Sequence, residues 1–235
     1  MTLMPFIDLA AQQQLVRTRI DDAIFRVLDH GAYVLGPEVT ELETVLARTV
    51  GREHCVSCAS GTDALQIFLM AKGVGPGDRV VVPDFTFVAT AEAVRLVGAE
   101  PIFADVDPVS YTLDPLSVRR AWDLEGRPPV GVIVVDLFGH PARTTEIEAV
   151  AKSRGAWVLV DGAQSFGALR DGRSSLASGV AATTSFYPSK PLGGYGDGGA
   201  IFCDDEELAG IMRSVSVHGS GGERYEHVRI GLTSR

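Results

Sequence analysis

Lys190 has surroundings suited to covalent chemistry. It lies in residues 183–200, TTSFYPSKPLGGYGDGGA, between the hydroxyl-bearing Thr183, Thr184, Ser185 and Ser189 and an exit through Gly193, Gly194, Gly196, Gly198 and Gly199. Asp197 is its only charged neighbour in that stretch. A lysine that must lose its proton to act as a nucleophile, or form an imine with an aldehyde, needs such a poorly solvated setting. Taken alone, the segment also reads as a loop lysine at a turn before a strand.

A second candidate lies upstream, where HCVSCAS reads as a short strand running into Gly61, Thr62 and Asp63 and then into the apolar helix ALQIFLMAKG. A strand, a glycine turn and a helix start bring free N–H groups and the positive end of the helix dipole to one point, which suits a phosphate. It is not a Walker loop, since no Gly-Lys-Ser/Thr follows, and GxGxxG is absent. An ordinary helix capped by Thr62 or Asp63 is the alternative. Cys55 and Cys58 form a CxxC pair without a second pair or nearby histidines to complete a metal site. The glycine turn comes after them, so buried strand thiols are expected rather than a redox centre.

These residues need elements to position them. Apolar positions Leu15, Ile20, Ile24, Val27 and Leu28 predict an amphipathic helix over 15–28 that stops at Gly31. Pro37 opens a second helix, with a face of Val39, Leu42, Val45, Leu46 and Val50, closed by Gly51. Strands RVVVP, PIFADV, VGVIVVD and WVLVDGA then alternate with helices expected over 87–97, 115–122 and 145–153. Strands over 182–186 and 200–203 flank the lysine segment, and a helix over 205–217 follows. Near-continuous Val/Ile/Leu strands separated by helices predict an α/β fold with a mostly parallel sheet covered on both faces. Ligands are then expected beyond the carboxyl ends of the strands. Asp105, Asp136 and Asp161 all fall at such ends, and spacing does not choose among them. The segment PDFTF offers Phe85 and Phe87 as an aromatic wall or as core.

Composition narrows the function classes. The 235 residues are 46% apolar and carry a net charge of −9. That is enough to bury a large core, and no basic stripe is present for nonspecific nucleic-acid binding. No run of 18 apolar residues occurs, and MTLMPFIDLA lacks the basic start and apolar core of a signal peptide. Three cysteines suit a reducing compartment, so the expected location is the cytoplasm, without nucleic-acid or membrane partners.

A ligand that uses a helix-start phosphate site, a strand-end carboxylate and a lysine in an apolar loop is pyridoxal 5'-phosphate. Its phosphate wants N–H and hydroxyl donors, its ring nitrogen a carboxylate and its aldehyde a lysine. FIDLAAQ, HGAYVLGPEVTELE, SGTDAL, VVVPDFTFVATAEAV, DGAQSFGA and SFYPSKPLGGYGDGGA, in this order, resemble the DegT/DnrJ/EryC1/StrS family of sugar aminotransferases. DLFGHPA and the RIGLTSR ending are similar to members that aminate UDP-linked 3-keto-hexuronic acids.

The resemblance implies the large domain of a fold type I PLP-dependent transferase, with a seven-stranded sheet. It implies amino transfer from an amino acid, L-glutamate above all, to a keto group of a nucleotide-linked sugar. Lys190 would be the catalytic lysine, binding the cofactor aldehyde and shuttling a proton. Asp161 would pair with the ring nitrogen, and Gln164 would contact the 3'-oxygen. Thr62, the Asp63 N–H and Ser185 would hold the phosphate, and Phe87 would stack on the ring. The glycines beyond Lys190 would leave room for the planar cofactor.

Thr233, Ser234 and Arg235 stand where the family often has Asn-x-Arg, whose Asn reaches a neighbouring subunit's phosphate in a homodimer. The domain reading is an N-terminal helical segment 1–36, a cofactor-binding large domain 37–218, and 219–235 as the start of a connection to a small C-terminal domain outside this chain. Two other readings are a deoxysugar dehydratase, which Lys190 opposes because those relatives carry histidine there, and a non-catalytic binding or regulatory protein of the same fold.

Overall fold

The computed structural model describes residues 7–124, 126–223 and 225–235. They fall into two compact units, Met1–Leu42 and Glu43–Arg235. The first holds α1 (Leu9–His30) and the start of α2 (Pro37–Val50). α1 begins six residues earlier than its apolar spacing predicts, because the Asp8 carboxylate accepts the Ala11 N–H at 2.9 Å and caps it there. Gly31 ends it in the left-handed conformation, φ 69°, donating its N–H to the Val27 carbonyl.

The second unit runs β1 (His54–Cys58), α3 (Gly61–Ala71), β2 (Arg79–Pro83), α4 (Ala89–Leu96), β3 (Glu100–Ala104) and α5 (Pro115–Ala121). It continues with β4 (Gly131–Val135), α6 (Thr144–Lys152), β5 (Trp157–Asp161), a short hairpin of β6 (Leu169–Arg170) and β7 (Arg173–Ser174), β8 (Ala181–Ser185), β9 (Gly199–Cys203) and α7 (Glu206–Ser216). Seven strands form one sheet in the order β1, β9, β8, β5, β4, β2, β3. β9 alone runs against its neighbours, pairing antiparallel with both β1 and β8. The expected α/β architecture is therefore present.

Alternation along the strands sends Val80, Val82, Ile133, Leu159 and Ile201 to the face covered by α3, α4 and α7. Val81, Val132, Val134, Val158, Val160 and Phe202 go to the face covered by α5, α6 and the end of α2. Burying each such side chain contributes roughly 1.5–3 kcal/mol, which makes a slip of register by one residue prohibitive.

The three cysteines are free and buried. Burial pushes the Cys58 thiol up to about 12 and that of Cys203 to about 11, and it raises Cys55 further. Such thiols are not nucleophiles at neutral pH. Among the described residues no helix is long and apolar enough to cross a membrane.

The start of α4 also differs from expectation. The helix predicted over 87–97 starts at Ala89, because residues 84–88 leave β2 in a turn and place Phe87 outside the helix. The hairpin β6–β7, two residues per strand, had no periodic signal to announce it.

Candidate active site

The carboxyl ends of the parallel strands open into a cavity of about 510 Å³. Ser60, Gly61 and Thr62 line it after β1, Thr86 and Phe87 after β2, and Val135 and Leu137 at β4. Asp161, Ala163 and Gln164 line it after β5, and Ser185, Tyr187, Ser189, Lys190 and Asp197 after β8. A doubly covered parallel sheet places its ligands here, since the helices that follow its parallel strands start on this side.

The turn that leads into α3 has an open anion-binding geometry. Ser60 is the N-cap, its hydroxyl accepting the Asp63 N–H at 3.0 Å, so neither Thr62 nor Asp63 caps the helix. The Asp63 N–H is thereby engaged, and Gly61 and Thr62 are the first-turn amides without an intrahelical partner. Ser185 at the end of β8 faces this turn closely. A Cβ on Gly61 would lie 2.8 Å from the Ser185 Cβ, so only glycine lets the helix start approach that hydroxyl.

The three strand-end carboxylates separate by environment. Asp105 is mostly exposed, beside Arg120 at 3.4 Å. Asp136 is fully buried but turned away from the cavity: it accepts the Ala142 N–H and the Ser165 hydroxyl, both at 2.8 Å. It pins the loop after β4, and burial raises its carboxyl above the ordinary range.

Asp161 alone both is buried and faces the cavity. Its Oδ2 accepts the Thr90 hydroxyl at 2.8 Å and its Oδ1 the Ala163 N–H at 3.2 Å. Burial pushes the Asp161 carboxyl upward. The Thr90 and Ala163 donors and the Lys190 charge oppose this, while the nearby Asp136 adds to it. Such a carboxylate is short of positive charge and suits a cationic partner from the cavity.

Thr90 carried a signal in the sequence that went unread. It falls in the buried stripe of α4 with Ala89, Ala93 and Val94, and a hydroxyl in an apolar stripe must find an acceptor.

Phe87 is 67% exposed and walls the cavity, so it is not core. Phe85 turns instead to Tyr111, with ring centroids 5.9 Å apart. Gln164 accepts the Phe138 N–H through Oε1 at 2.5 Å, which fixes the amide and leaves its NH₂ as the donor end.

Lys190 sits in a tight turn, its N–H donating to the Tyr187 carbonyl at 2.8 Å. The Thr183 and Thr184 hydroxyls bond to the Val160 and Gly162 carbonyls and do not reach the cavity. Two of the glycines beyond Lys190 are required by the loop itself. A Cβ on Gly193 would lie 2.4 Å from the Pro188 carbonyl oxygen, and one on Gly198 would lie 3.1 Å from the Phe186 ring.

The layered sheet, with a lysine loop, a buried carboxylate and an open helix start meeting at its strand ends, defines the large domain of the PLP-dependent transferase fold. A family model for the DegT/DnrJ/EryC1/StrS aminotransferase family matches residues 14–235, and the chain belongs to that family.

It is 52% identical over 233 residues to a Pseudomonas aeruginosa protein named UDP-2-acetamido-2-deoxy-3-oxo-D-glucuronate aminotransferase, covering 99% of this chain and 64% of that one. A DegT DnrJ EryC1 StrS aminotransferase from Brucella abortus superposes with a TM-score of 0.97 at 49% identity, covering 99% of this chain and 64% of the other. The Bacillus subtilis protein NtdA, whose structure contains the cofactor PMP, superposes at 0.91 with 28% identity over 100% of this chain and 53% of that one. The chain therefore spans less than two thirds of the length of these relatives.

Proposed function

We propose that the chain works as a pyridoxal 5'-phosphate-dependent aminotransferase. In this reading it moves an amino group from an amino acid, L-glutamate first, to a keto group of a nucleotide-linked sugar for polysaccharide, O-antigen or glycoside biosynthesis. The observation that carries it is the convergence of Lys190, Asp161 and the turn at Gly61 and Thr62 on one cavity. The names of the Pseudomonas aeruginosa relative and of the PMP-containing structure support the substrate class and the cofactor.

The residues present fit this group. Open amides at Gly61 and Thr62 with the Ser185 and Thr62 hydroxyls suit a phosphate. Asp161 would face the ring nitrogen, Phe87 the ring plane, and the Gln164 NH₂ the ring oxygen. When bound, the cofactor supplies an aldehyde carbon for amines and a protonated ring that draws electrons from it. Lys190 would hold that carbon at rest through Nζ and, once displaced, move a proton at Nζ. Asp161 would keep the ring nitrogen protonated. Thr90 would hold Asp161 oriented through a hydrogen bond to a charged acceptor, worth about 1.5–3 kcal/mol.

Thr90→Val is thus expected to lower turnover about tenfold or more while the fold stays intact, as steady-state rates beside a circular dichroism spectrum will show.

The same reading gives a cytoplasmic homodimer. It is supported by Thr233, whose backbone bridges to Val217 while its exposed side chain is accessible to a second subunit. The three free cysteines suit a reducing compartment.

To test the proposal, the purified chain is titrated with pyridoxal 5'-phosphate and then given L-glutamate. A visible absorbance band that shifts to that of the amine form supports it. No band, or a band indifferent to every amino acid offered, overturns it.

A further inference from the structure

The first turn of α3 is held from the far end of the chain. In a capping box, the residue at the third helical position reaches back with a long carboxylate to the backbone at the cap. Here that position is Asp63, one methylene shorter than glutamate, behind the Ser60 cap. Ser234 ties that side chain instead to the residue before the cap: its hydroxyl accepts the Ala59 N–H at 3.0 Å and donates to Asp63 Oδ2 at 2.6 Å.

Ser234 is fully buried. Its place is fixed by the segment that returns along the end of α7, where the Ser234 N–H donates to the Ser216 carbonyl at 2.9 Å and the Leu232 N–H to the Val215 carbonyl at 2.7 Å. Ser60, Gly61 and Thr62 line the cavity, but Asp63 does not.

We infer that Ser234 is a positioning residue for the anion-binding turn, completing the α3 cap across 171 positions and holding the Asp63 carboxylate out of the cavity. This rests on the reading of that turn as the cofactor-phosphate site. A bare carboxylate one residue from a phosphate repels it, and an exposed site would discriminate against the anion it is built to hold. With the hydroxyl in place, the carboxylate has a donor on the outer side of the turn. The Ala59 amide is also satisfied, so the backbone that carries the Gly61 and Thr62 amides cannot rotate freely. Ser234 does this without touching the cofactor.

The test measures pyridoxal 5'-phosphate affinity by absorbance for the full chain, Ser234→Ala, Ser234→Cys and the double variant Ser234→Ala with Asp63→Asn. Amide hydrogen exchange over residues 59–63 is followed in parallel. Ser234→Ala is expected to weaken affinity about tenfold and to speed exchange at the Ala59 amide. Ser234→Cys, which keeps the buried side chain nearly the same size with a weak donor, is expected to lose affinity in the same direction.

The double variant separates positioning from plain stability. A neutral side chain at 63 no longer repels the phosphate, so affinity is expected to return to within about threefold of the wild type. Serine variants that bind like the wild type, or a double variant as weak as Ser234→Ala, overturn the inference alone. A wild-type chain that binds no cofactor overturns the proposed function and the inference with it.

Discussion

Lys190→Ala is expected to abolish the visible absorbance band of the cofactor-loaded chain and to lower amino transfer by about 10⁴-fold, the upper range for a positioned proton-transfer group. The two effects have one origin. Lys190 is, among the described residues, the one lysine lining the cavity at the strand ends, so the alanine variant would lack that amine to hold the aldehyde carbon or to move the proton.

The substitution should leave stability close to that of the wild type, because the Lys190 turn is held by its backbone N–H on Tyr187 and not by the side chain. Spectra with and without added pyridoxal 5'-phosphate, beside thermal melts, check both parts. A variant that keeps the band and the rate would remove Lys190 from the mechanism.

Asp161→Asn is expected to keep the fold and to reduce turnover by about 10²–10³-fold, the kinetic equivalent of roughly 3–4 kcal/mol for one partner lost from a buried charge pair. Asparagine preserves the shape and can still accept the Thr90 hydroxyl through its one oxygen, so the change removes the charge and, with it, only the weaker 3.2 Å acceptor of the Ala163 N–H. The buried carboxyl is already pushed toward its neutral form by desolvation, so a cationic ring nitrogen and Asp161 would stabilise each other's charged state. Without the carboxylate the ring nitrogen is expected to lose its proton and draw electrons poorly. Cofactor binding should weaken less than turnover, since the proposed phosphate contacts lie at α3 and β8. Rates near those of the wild type in Asp161→Asn would assign the ring-nitrogen role elsewhere.

Much of this arrangement was legible in the residues. Runs such as RVVVP and VGVIVVD declare buried parallel strands because both faces are apolar, and both form within a residue of their expected bounds. Pro37 opens α2 and Gly31 closes α1 where their fixed and permissive backbones predict. Lys190 and the Gly61 turn were marked as candidates by local composition, and both line the cavity.

Other assignments depended on partners distant in sequence. Asp105, Asp136 and Asp161 occupy equivalent places at strand ends, and family resemblance rather than spacing pointed to Asp161. The structure supplies the physical distinction, because the Asp136 side chain is drawn to Ser165 and Ala142 while Thr90 holds Asp161 toward the cavity.

The α3 cap shows the same limit at shorter range. Thr62 and Asp63 were reasonable caps by residue type, but Ser60 has the extended backbone that lets its hydroxyl turn back to the helix. Phe85 and Phe87 are two residues apart and chemically alike. Only the turn after β2 sends one to Tyr111 and the other to the cavity wall.

The sequence by itself determined the strands of the main sheet, the helices around it, the sheet type and the family, because these follow from periodicity, backbone restriction and ordered local motifs. The tertiary structure decided which carboxylate faces the cavity, which hydroxyl caps α3 and what Ser234 does. Those outcomes turn on hydrogen-bond partners as far as 175 positions away, and their satisfaction depends on burial that no local window contains.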